Sequence, residues 1–339
     1  MTSVARRAAA LMGAASAASA LLAGAELRAQ PSVWEEARDA RSRRAYQAFV
    51  SAERMQEHAR DSFGDPRLQR DFTLTASALL ELAGGAELGD ARLSYMLGDL
   101  LLDPLLTVNR SRDAQRLLTL ALEQAPSSPL AAHGWFNLAI ASAKLKQPKQ
   151  EHVAYTRALE LEHDPDMRAT IFSNRAESSM VTGDLRAAIR DYRRAADLAQ
   201  LPHAQALAHW GLGIALERDG DLPSALNAIR TAQGIKLPSP PYPASHALEL
   251  PEVFFVPDYD IHYYRALGAM AEARSASEPP ARKLALSEAV AAWTEYVRRA
   301  EADSTPWLEH ARMHRTRCER ELAQVERLLR SGPALRRLR

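Results

Sequence analysis

The chain has 339 residues, 47% of them apolar with only 6% aromatic, and 43 Lys+Arg stand against 42 Asp+Glu. Much of the apolar share is alanine, the best helix former, so packed small-residue helices are favoured over sheets. One cysteine excludes a disulfide scaffold and any CxxC zinc or iron–sulfur module, and the charge balance gives no electrostatic reason to expect a nucleic-acid binder.

Residues 1–29 open with Arg6 and Arg7, continue through an uncharged Ala/Leu-rich stretch from Ala8 to Ala25, and end in small residues at cleavage spacing. That order predicts a secretory signal peptide, cut near Ala29 or after the Ala23-Gly24-Ala25 run. So Ala-rich a stretch makes a poor transmembrane helix. Its removal takes away Arg6, Arg7, Arg28 and Glu26 and leaves the chain near neutral. An exported protein with one thiol, Cys318, must then hold itself together by apolar packing.

Residues 30–90 form an N-terminal helical segment, with helices predicted over Val33–Asp61 and Pro66–Leu82. Residues 91–237 are a repeat array that starts with a helix over Arg92–Leu102. Four segments align with a constant step of 37. The first anchors are Ala114, Glu151, Ala188 and Ala225; the second are Ala121, Ala158, Ala195 and Ala232. Upstream of each anchor lies a second helical pattern, and glycines such as Gly183 and Gly220 stand where one helix must stop and the chain reverse. Each unit is therefore predicted to be an antiparallel helix pair.

Residues 238–258 interrupt this period. The next leucine–glycine pair follows Leu212-Gly213 after 55 residues instead of 37, and the intervening insert is rich in proline and aromatics. It reads either as a packed strap or as a partner-contacting element formed by Phe254, Phe255 and Tyr259. A degenerate unit follows over 259–305. Residues 306–331 then give a capping helix whose apolar stripe is Leu308, Ala311, Cys318, Leu322, Val325 and Leu329. Residues 332–339 are a basic tail; with Arg327 and Arg330, its Arg336, Arg337 and Arg339 suit either an anionic surface or a solvated terminus.

The repeats resemble the tetratricopeptide family. The resemblance lies in Trp135-Phe136-Asn137-Leu138-Ala139, in Phe172 to Ala176 followed by Gly183-Asp184-Leu185, in Tyr155 and Tyr192, and in Ala158, Ala195 and Ala232. It implies an all-α fold: an α-solenoid of antiparallel helix pairs with a C-terminal capping helix. It also implies a concave face lined by the first helix of each pair, where Phe136, Asn137, Lys144, Asn174, Glu177, Trp210 and Arg218 would meet a protein or peptide partner. Phe136 and Ser173 stand where the chaperone-binding subclass has lysines, which argues against a terminal-carboxylate ligand.

Little else suggests chemistry. Glycines occur singly, and neither a nucleophile elbow nor HExxH is present. His310, His314 and Cys318 share a helix face at spacings of four but span more than one ion can bridge, so a core thiol beside two solvated histidines is expected and no metal. Glu252, Asp258, Asp260 and His262 in the insert offer an alternative acid/base or metal cluster without established ligand spacing. The expected function is a non-enzymatic adaptor of a bacterial envelope, periplasmic or outer-membrane-associated. It needs no cofactor and binds no nucleic acid, membrane contact is possible but not required, and its oligomeric state is left open; a structural spacer without a ligand is the second alternative.

Overall fold

The computed structural model describes residues 40–62, 65–82, 91–103, 110–237, 244–249, 253, 255, 257–303 and 305–335. The signal segment, Phe254, Glu252 and the last four residues lie outside the described residues. Thirteen α-helices and a short 3-10 helix are described, and no strand among the described residues. None of the described helices is long and apolar enough to cross a membrane. The chain divides into two compact units, residues 1–171 and 172–339.

In the first unit α1 (Ala40–Asp61) packs on α2 (Pro66–Leu82), α3 (Ala91–Leu100) on α4 (Ser111–Gln124), and α5 (Ala131–Lys144) on α6 (Pro148–Leu161). Further contacts join α4 to α5 and α3 to α5, so each pair also rests on the next. Helix α7 (Pro165–Val181) straddles the division. The second unit continues with α8 (Leu185–Leu198), then α9 (Pro202–Arg218) packed on α10 (Leu222–Gly234), and α11 (Asp260–Ser275) packed on α12 (Pro279–Ala300). The long α13 (Leu308–Leu335) covers α12. Each unit is thus a stack of antiparallel helix pairs, the α-solenoid class of architecture.

The alanine anchors explain the close stacking. Ala114, Ala188, Ala225, Ala121, Ala158, Ala195 and Ala232 are all fully buried, and Glu151, which replaces alanine in its copy, is only 8% exposed. A residue without a side chain beyond Cβ lets two backbones approach and loses no rotamer entropy when ordered. Larger apolar residues fill what remains: Leu80, Leu93 and Leu118 in the first unit, Ile214, Ile229, Trp293 and Tyr296 in the second. Leu308, Ala311, Cys318, Leu322, Val325 and Leu329 join α13 to the second core.

The reversal between the two helices of a pair also repeats. Gly183 (φ 84°) and Gly220 (φ 92°) take the left-handed conformation, and the next residue's N–H reaches back five residues to a helix carbonyl. Asp184 and Asp221 then cap the second helix, accepting from the N–H of Ala187 and Ser224. Lys146 sits at the equivalent turn with φ 57° and the same backbone bonds. A side chain is strained in that region, so Lys146→Gly is expected to raise the thermal midpoint of the first unit by about 2–4 °C in a calorimetric scan.

The described part of the insert is packed. The 3-10 helix Ala244–Glu249 rests on α9 and α10, with Ala247 and Leu248 buried. Phe255 stacks edge-on against Tyr264 at 5.1 Å. Ala247 and Leu248 belong to the core, and Phe255 is partly buried against it.

Candidate functional site

The residues expected to face a partner fall into two groups. In the first unit Asn137 is 4% exposed, and its Nδ2 donates to Asp99 Oδ1 at 2.7 Å, with His133 Nε2 3.0 Å away. An asparagine expected to meet a partner is instead engaged by a carboxylate of the preceding pair. Lys144 donates from Nζ to the Leu102 carbonyl at 2.9 Å, which satisfies an orphan carbonyl beyond the end of α3, and burial lowers its ammonium pKa. Phe136 stays partly exposed, its ring 6.1 Å from that of Tyr155 and 6.2 Å from that of His133.

In the second unit Trp210 is only 1% exposed and lies against Gly268 of α11, where a Cβ would come within 2.7 Å of its ring. It is a packing residue between successive pairs, with no surface for a ligand. Tyr259, expected in a binding insert, is likewise buried, its ring 5.4 Å from Tyr296. Asn174 remains partly exposed on α7.

Arg218 is the most consequential correction. It occupies the last turn of α9, while Asp260 occupies the first turn of α11, each at the helix end where its charge opposes the backbone dipole. Arg218 Nη2 meets Asp260 Oδ2 at 2.9 Å with both side chains 4% exposed or less. The guanidinium also lies 4.8 Å from the Tyr263 ring centre and 4.9 Å from that of Trp307. Burial alone would lower its pKa, but Asp260 foremost, with Tyr263 and Glu177, together raise it.

Beside this pair Glu217, also buried, accepts from the hydroxyl of Tyr263, from His314 Nε2 at 2.7 Å and from His310 Nδ1 at 3.3 Å. Burial alone would raise its acid, but His314, Tyr263 and His310 together bring it below the ordinary glutamate value. His314 is 2% exposed and stacks on Trp293 at 5.4 Å. The expectation of two solvated histidines therefore fails for His314, which tethers α13 to α9. Cys318 is buried in the same helix, where burial pushes its thiol up to about 12. No group of three or more metal-type ligands occurs among the described residues.

Glu177 on α7 completes the seam. Its Oε2 accepts from Tyr192 at 2.8 Å and from Tyr264 at 3.2 Å. The nearby Arg175 forms a two-pronged pair with Asp191 at 2.7 and 2.8 Å. Of the alternative acid/base cluster, Asp260 is committed to Arg218 and the Asp258 side chain is 87% exposed, while Glu252 lies outside the described residues.

No family model matches the chain, and no curated protein matches it. Similar solved structures include two of MamA, at 18% and 17% identity, each with a TM-score of 0.42. They cover 50% and 54% of this chain and 92% and 90% of their own. Another is BtubC (BKLC) from P. vanneervenii, at 21% identity and a TM-score of 0.42, covering 57% of this chain and 90% of its own.

Proposed function

We propose that this protein is a non-enzymatic scaffold that binds a partner polypeptide along the first helices of its repeat pairs, and that it works outside the cytoplasm. The observation behind the reading is Phe136: each pair satisfies its own packing with alanine, leucine and buried aromatics, yet this ring remains partly exposed between two others on a first helix. A partly exposed aromatic on a rigid element offers binding area at low ordering entropy. Export, to the periplasm or the outer membrane, is supported by the charged, apolar and small-residue order of residues 1–29.

A photo-crosslinking amino acid placed at Phe136 tests the binding face. Val153, on the second helix of the same pair and 57% exposed, is the control. Irradiation in cells is expected to yield a discrete protein adduct from position 136 and none from 153. Equal adducts from both positions, or none from 136, would remove the assignment.

A further inference from the structure

The second unit buries more negative than positive charge. Glu177, Glu217 and Asp260 lie around Arg218, which pairs with Asp260, while the nearby Arg175 is taken by the buried Asp191. Glu217 has three donors. By contrast, Glu177 Oε1 and Asp260 Oδ1 are closed off from solvent and have no hydrogen-bond partner. An anionic oxygen removed from water without a donor is unfavourable, and a fold tolerates few of them. Asp260 already meets a guanidinium through its other oxygen, whereas the hydrogen bonds of Glu177 come from two neutral tyrosine hydroxyls. Aromatic rings surround Glu177: Tyr192 and Tyr264 hold its other oxygen, and Phe255 stands edge-on to Tyr264. A carboxylate set among aromatic rings is the environment that accepts a guanidinium or ammonium group.

We propose that the Glu177 carboxylate, held by Tyr192 and Tyr264, is the seat for a cationic side chain, arginine or lysine, presented by a partner polypeptide. The proposal rests on the reading of the first helices as a binding face and names the chemistry recognised there. Glu177 lies on such a helix and is partly exposed as a residue, although the unpartnered oxygen itself is covered. Tyr192 is wedged against Gly211 and holds its place, so admitting a ligand to the covered oxygen would require the buried Tyr264 to move.

The titration of Glu177 agrees. Burial first and the charge of Asp260 second push its acid up, against the opposing effects of Arg218 and the two tyrosine hydroxyls. A carboxyl whose folded value is raised stabilises the fold below its unfolded value and ceases to do so as pH rises through the folded value. Above its unfolded value, burial of the Glu177 carboxyl therefore weakens the free protein, and a bound cation would offset that loss.

The test uses small probes and the full chain at low ionic strength and pH 7. The probes are N-acetyl-arginine methylamide, its lysine counterpart, and the citrulline analogue as an uncharged isostere. The arginine probe is expected to raise the thermal midpoint saturably, by about 3 °C at ten times its dissociation constant, and citrulline to leave it unchanged. Glu177→Gln should melt higher than the wild type without probe and show no response to arginine. If Glu177→Gln does not fold, Tyr264→Phe, which removes one competing donor, should strengthen the response. Equal responses to arginine and citrulline, or an arginine response that survives in Glu177→Gln, would overturn the proposal and leave an internal water as the partner of these oxygens. Because no partner protein is involved, failure here is separable from failure of the Phe136 crosslink.

Discussion

Arg218→Ala is expected to destabilise the second unit by about 3–5 kcal/mol, the typical loss when one member of a buried ion pair is removed. The side chain is 2% exposed, so water cannot replace it, and Asp260 would be left charged, with its Oδ1 already lacking a donor. The packing of Tyr263 and Trp307 on the guanidinium would be lost as well. The same reasoning gives a result of opposite kind for the pair. Arg218→Met combined with Asp260→Leu replaces both charges by apolar groups of similar volume and should recover most of the loss, since the desolvation of two ions is no longer required. Denaturant unfolding followed by tryptophan fluorescence measures both variants against the wild type. A double variant as unstable as Arg218→Ala would mean that the seam depends on these charges for something besides their mutual attraction.

Gly211→Ala should be the most damaging single-methyl change in the second unit, at about 1–3 kcal/mol. A Cβ at this position would stand 2.1 Å from Cε1 and 2.3 Å from Cζ of Tyr192, so the ring must move. It cannot move without effect, because its hydroxyl holds Glu177. Chemical denaturation of Gly211→Ala, of Tyr192→Val and of the two together separates the causes. If the clash is the cause, the methyl should be harmless once the ring is gone, and the double variant should match Tyr192→Val alone. Additive losses would point instead to the backbone of α9.

The stacking of helix pairs was legible in the residue pattern because it depends on one local property repeated at fixed spacing. Ala114, Ala188 and Ala225 show this, as do the turn glycines Gly183 and Gly220. The polar seam was not legible, because it is made by pairs of residues that no period relates. Asp260 is 42 residues from Arg218, with the irregular insert between them, and His314 is 97 residues from Glu217. Family resemblance placed Arg218 and Trp210 on an open face, since the first helices of such pairs often present their inner residues to ligands. Here the next pair and α13 come down over that face and convert ligand positions into internal ones. One signal was available: charged Glu217 and Arg218 follow directly on the apolar run Gly211 to Leu216 at the end of α9. His314, within the apolar stripe of α13, was a second, for a polar residue in a buried stripe needs a partner.

The recurring turn carries a consequence for how such a chain can change length. Excising residues 184–220 would join Gly183 to Asp221, restoring the same Gly-Asp junction with the same left-handed glycine and the same capping aspartate. Locally, the cut is silent. It would nevertheless remove Tyr192, Glu217 and Arg218, leaving Asp260 and His314 without their partners and Glu177 with Tyr264 alone. The repeats of the second unit therefore share a common joint but are no longer interchangeable parts: gain or loss of a whole repeat is open to the backbone and closed by the buried charges.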